Sequence, residues 1–156
     1  MKVLVNKCYG GYGFSNEAHS LYAKKIGKEC YFYDSSYDKD RDIMPYKVSE
    51  GKGLCVFAFT VPTVDELNEK LGYAKPWHKM TSKERKENSD LYDSLAININ
   101  DLNRTDKTLI SVVEELGKKA NSQFSDIRII DIPDGMEYEI SDYDGIETIH
   151  EIHQSW

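Results

Sequence analysis

Residues 2–26, KVLVNKCYGGYGFSNEAHSLYAKKI, decide how this chain begins to fold. Lys2 to Asn6 is a short β-branched apolar run, the signature of a strand. Gly10, Gly11 and Gly13 then interrupt it. Ser15-Asn16-Glu17 opens a segment in which Ala18, Leu21, Tyr22 and Ile26 recur at helical spacing, and Gly27 stands where a helix stops. The stretch reads as strand, glycine-rich turn, helix.

Working outward, Cys30-Tyr31-Phe32-Tyr33 reads as a second strand. Residues 34–50 carry many charges and no sustained period, so they are expected to form a long loop or flap. Gly53 to Val61, GLCVFAFTV, is a continuous apolar run of strand length; it is expected to be buried on both faces and central in a sheet. Thr63 with Glu66, and Thr81 with Glu84, have the spacing of capping boxes. They predict a short helix ending near Leu71, with Gly72 as its left-handed cap, and a polar surface helix touched by Leu91, Tyr92 and Leu95. From Asp106, the spacing of Leu109, Val112, Val113, Leu116 and Ala120 gives the cleanest amphipathic stripe. Ile127–Ile132 predicts a strand, and alternation at Met136, Tyr138 and Ile140 predicts another. Asp144-Gly145 is a hairpin-turn signal. The last stretch, from Ile146, fits a returning strand or a short helix. The fold class expected is mixed α and β: one domain over residues 1–156, with a mixed sheet and an antiparallel C-terminal meander.

The chain has 156 residues, Lys+Arg 20 against Asp+Glu 27, a formal charge of -7, and 40% hydrophobic residues. That is enough apolar side chain for a core, which excludes global disorder. An acidic balance argues against binding along a nucleic-acid backbone, which Lys and Arg must neutralise. No apolar run reaches the ~18 residues that cross a bilayer, and the opening residues lack a secretory signal pattern. A soluble cytoplasmic protein without membrane or nucleic-acid partners is expected. Cys8, Cys30 and Cys55 form no C-x-x-C pair and read as reduced thiols.

The sharpest chemical feature is the turn itself. Glycines allow backbone amides to face an anion, and a helix N-terminus adds unpaired N–H groups. The turn matches neither G-x-G-x-x-G nor the Walker pattern. Two readings stand: a phosphate cradle formed by Gly10, Gly11, Gly13 and Ser15 with Tyr9, Tyr12 or Phe14 on a base, or a tight turn capped by Ser15. Arg104, ahead of the best helix, is placed to hold a second anion or to pair with a surface carboxylate. Tyr143 and Asp144 bring a polar turn whose aspartate can accept ribose hydroxyls. Glu137, Glu139, Asp142, Asp144, Glu147 and Glu151 gather negative charge without a known carboxylate register. His150 and His153 share a face only on a helix. No metal site, cofactor or catalytic set is assigned.

Three segments together carry a resemblance: CYGGYGFS at residues 8–15, RTDKTLISVVEELG at 104–117, and the ending from EYEISDYDG to HQSW. They resemble a family of small proteins of phages and large DNA viruses, whose pattern runs CYGGFGLS, R-x-D-x-x-L-x-x-V-V-E-x-L-G and EYDG…HRTW. The match covers about half the chain; Tyr12, Phe14, Gln154 and Ser155 depart from the pattern, and Gln154 replaces an arginine. The resemblance implies a viral context and supplies no reaction.

By analogy with small acidic phage proteins that counter host defence, the expected function is non-catalytic sequestration of a nucleotide-derived signal of the cyclic-nucleotide or ADP-ribose type. A homodimer or higher homo-oligomer is the expected state. The alternatives are a metal-dependent nucleotide-processing enzyme and an acidic inhibitor that docks on a host protein.

Overall fold

The computed structural model describes residues 1–50, 56–71 and 75–153. Gly53 to Cys55, the proposed cap Gly72, and Gln154 and Ser155 lie outside them. The described residues form four α-helices and seven strands in antiparallel pairings, a mixed α+β fold. None of their helices is long and apolar enough to cross a membrane. Internal contacts divide the chain into two compact units, Met1–Ile26 with Asn98–Trp156, and Gly27–Ile97.

In the first unit, β1 (Lys2–Asn6) leads through the glycine turn into α1 (Asn16–Lys25). Ser15 caps that helix, its Oγ accepting from the Ala18 amide at 3.2 Å. Gly27, the residue at which the second unit begins, adopts φ +74°, where a side chain would strain the backbone. The amphipathic stripe folds as α4 (Lys107–Leu116), capped by Asp106, whose carboxylate accepts from the Leu109 amide at 2.7 Å. That helix packs against α1, β1 and β5 (Ile127–Asp131). Val3, Leu4, Val5, Ala18, Leu109 and Val112 are fully buried there. β6 (Tyr138–Tyr143) and β7 (Ile146–Glu151) pair as a hairpin turned at Asp144-Gly145, both at positive φ.

In the second unit, β2 (Tyr31–Ser35) lies between β3 (Tyr46–Val48) and β4 (Phe57–Phe59). Tyr33, Tyr46, Phe59, Val61, Leu67 and Leu71 form its buried cluster. Helices α2 (Val64–Lys70) and α3 (Ser82–Leu95) begin at the two expected caps, and the Thr81–Glu84 pair is bonded in both directions. No residue of α3 is fully buried; Tyr92 meets Phe59 edge-on at 5.3 Å.

Several elements differ from the sequence reading. The sheets are not mixed: every described pairing is antiparallel. Strand direction depends on how distant segments meet, which residue alternation does not encode. β5 pairs with β1 and not with β6, so the C-terminal meander reduces to one hairpin. β4 is not central. Its outer edge is covered by chain beyond α3, with Ile97 donating to Ala58 at 2.8 Å and Thr60 to Leu95 at 2.9 Å. An apolar run reports burial, not the number of strand neighbours. Within residues 34–50, β3 returns along β2, and an Asp38–Ile43 bridge closes the connection.

Candidate functional site at the glycine turn

Asn6, the last residue of β1, organises the turn. It is fully buried, and its side-chain amide donates to the carbonyls of Cys8 at 2.8 Å and Gly145 at 2.6 Å. Its Oδ1 accepts from the Asp126 amide at 2.8 Å. One side chain thus ties the turn, the β6–β7 tip and the entry to β5 together, and its buried polar atoms are satisfied as they must be.

The glycines answer to close packing. A Cβ on Gly10 would stand 2.1 Å from the Phe124 carbonyl oxygen. One on Gly145 would stand 2.6 Å from the Gly10 nitrogen and 2.7 Å from that of Gly11. Gly11 has open space around it but a φ of +108°. The N–H groups of Gly10, Gly11, Tyr12 and Gly13 meet no hydrogen-bond acceptor among the described residues. They retain donor capacity, and Gly145 packs closely against the nitrogens of Gly10 and Gly11.

Arg104 is committed within the unit. Its guanidinium grips Glu147 with two bonds, Nη1 to Oε2 at 2.8 Å and Nη2 to Oε1 at 2.7 Å, and also donates to the Leu4 carbonyl at 3.3 Å. It lies over the Tyr12 ring, 3.3 Å from the ring centre. Glu147, 3% exposed, accepts further from the Asn6 amide at 2.8 Å. Tyr12 also meets Phe14 at a near-perpendicular angle, with ring centres 5.1 Å apart. Burial pushes the Tyr12 phenol up to about 12, and its hydroxyl has no hydrogen-bond partner among the described residues.

The structure therefore brings the expected residues into one unit but sorts them. Phe14 is buried core, Ser15 is a helix cap that also donates to Lys119, and Arg104 and Tyr12 form a cation–π stack. Tyr9 and Tyr143 stand exposed, at 71% and 79%, with Asp144 exposed at the hairpin tip. Phe124, 55% exposed, joins them because Gly10 and Cys8 press against its carbonyl. His150 lies on a strand and meets Ser141 Oγ at 2.9 Å, and no cluster of metal-ligating side chains occurs among the described residues.

Sequence reasoning missed Asn6, Phe124 and the pairing role of Glu147. Signals existed for two. Asn6 ends a buried apolar run, where an amide must find partners. Glu147 shares a strand face with Ile149, and a carboxylate facing inward requires a cation. Phe124 lies in a polar stretch, NSQFSD, that gives no warning.

Compared with protein-family models, curated proteins and solved structures, the chain matches none.

Proposed function

We propose that this chain binds a nucleotide-derived ligand, of the cyclic-nucleotide or ADP-ribose type, and sequesters it without converting it. One observation carries the reading. The four amides of residues 10–13 lack acceptors among the described residues, in a turn flanked by the exposed rings of Tyr9, Phe124 and Tyr143. Amides suit phosphate oxygens, and aromatic faces suit a base. Asp144 at the hairpin tip supplies an acceptor for ribose hydroxyls. The ligand site consists of Tyr9, the 10–13 amides, Phe124, Tyr143 and Asp144, with Arg104 bracing Tyr12 from behind. In a phage setting such a protein withdraws a host immune signal. A homodimer would enclose a ligand that one exposed turn leaves open.

A second reading has its own support. The β6–β7 hairpin exposes Glu139, Asp142, Asp144 and Glu151 together with Tyr143, a surface suited to a basic host protein.

Native mass spectrometry of the purified protein and a thermal-shift screen against cyclic dinucleotides, ADP-ribose isomers, NAD and ATP separate the two. Ligand at 100 times its dissociation constant raises stability by ~2.7 kcal/mol. A stabilising nucleotide recovered unchanged supports sequestration. A converted product refutes it, and no shift with any nucleotide turns the search to protein partners.

A further inference from the structure

The second unit holds a cleft of about 370 Å³, within the size range of small-molecule sites. Ile43 and Tyr46 are buried at its lining, and Phe57 meets Tyr46 edge-on at 5.4 Å. Tyr37, Met44 and Trp77 line it while more than half exposed. Large apolar side chains held at a concave surface signal recognition more than folding.

These rings are held in place. Trp77 sits in a single 3-10 turn, Trp77–Lys79, whose carbonyls at Trp77 and His78 accept from Arg85 at 3.2 and 3.4 Å. The same guanidinium lies over the indole, 5.7 Å from its centre, and the ring is 55% exposed. Tyr37 donates its hydroxyl to Asp42 Oδ1, and Oδ2 lies 3.7 Å from His78 Nε2. The phenol bond braces Asp42 at the mouth through Oδ1, while Oδ2 at 3.7 Å from the imidazole makes no hydrogen bond to it. Lys75, also in the lining, directs one donor to Glu84 at 2.6 Å, and Glu84 lies outside the lining. An ammonium has three donors, so two remain for a ligand.

We infer that this cleft is a binding site for a planar aromatic molecule carrying one anionic group, its ring against Trp77 and Tyr37 and its anion on Lys75. The site is separate from the glycine turn and stands without the nucleotide reading.

The test is titration of the ¹⁵N-labelled full chain with 2-naphthoate and with neutral 2-naphthol. The chain has two tryptophans, so Trp77→Phe assigns the Trp77 indole resonance. Saturable shifts centred on Tyr37, Met44 and Trp77 are expected. Trp77→Ala and, independently, Tyr37→Ala each weaken binding by roughly tenfold, as loss of a stacking ring does. Lys75→Met brings 2-naphthoate down to the affinity of 2-naphthol. The spectrum away from the cleft reports that each variant remains folded. Absence of saturable shifts, shifts centred elsewhere, or full affinity in both folded ring variants overturns the site. Equal affinity of the two probes for the unaltered protein overturns the assignment of an anion to Lys75. The probe is not a nucleotide, so its failure leaves the glycine-turn reading intact, and the converse holds.

Discussion

Arg104 and Glu147, 43 positions apart, form a two-pronged ion pair in which the carboxylate is almost fully enclosed. The pair fixes β7 to the end of β1, because Glu147 also accepts from Asn6 and Arg104 exchanges backbone and side-chain bonds with Leu4. The arginine expected to meet a ligand anion instead meets an internal one.

Removing one partner strands the other's buried charge. Glu147→Ala is expected to cost roughly 3 kcal/mol, whereas the double change Arg104→Met with Glu147→Leu costs less than Glu147→Ala alone, because neither charge is then left behind. Urea unfolding midpoints of the three proteins measure this. A double variant less stable than Glu147→Ala contradicts it.

The glycines separate by mechanism. Gly10→Ala drives a methyl into the Phe124 carbonyl and is expected to cost about 3 kcal/mol. Gly11→Ala meets nothing and suffers only its positive φ, at about 1–2 kcal/mol. Thermal unfolding of both proteins gives the order.

Tyr9→Ala and Tyr143→Ala alter exposed rings, so their melting temperatures are expected to stay near that of the parent. If the nucleotide reading holds, each lowers nucleotide affinity by roughly tenfold, the worth of one base-stacking ring. Calorimetric titration with the ligand found in the screen is the check; unchanged affinity in both removes these rings from the site.

Stability should fall on both sides of neutrality. Burial lowers the proton affinity of His19 although its Nδ1 meets the Ser15 carbonyl at 2.9 Å. The unfolded chain then binds more protons than the folded one as pH drops through the ordinary histidine value of 6.5, so stability declines there. Tyr12, raised to about 12, and Cys30, raised to about 11, are both held neutral by burial. Their contributions are complete below the unfolded values of 10.0 and 9.0 and are lost as pH rises towards the folded ones. Urea midpoints from pH 5 to 11 trace the curve, and His19→Gln should flatten its acid limb.

Local chemistry was readable directly. The glycine turn between β1 and α1, the caps at Ser15, Thr63 and Thr81, the stripe of α4 and the Asp144-Gly145 turn each depend on residues within one or two turns of chain. The sequence by itself therefore determined the four helices and most of the strands, but not β3, which lies in the expected loop, nor the choice of strand over helix for β7. Tertiary structure alone decided that β1 takes β5 as its partner, that β2 and not β4 lies central, that Arg104 serves Glu147, and that Gly145 and Phe124 close on Gly10. It also assembled the Tyr37–Trp77 cleft from segments with no shared motif. The physical reason is range. Turn geometry, capping bonds and hydrophobic period act over a few residues, whereas strand pairing, ion pairing and cleft walls depend on which distant segments share a core, and no local spacing records that choice.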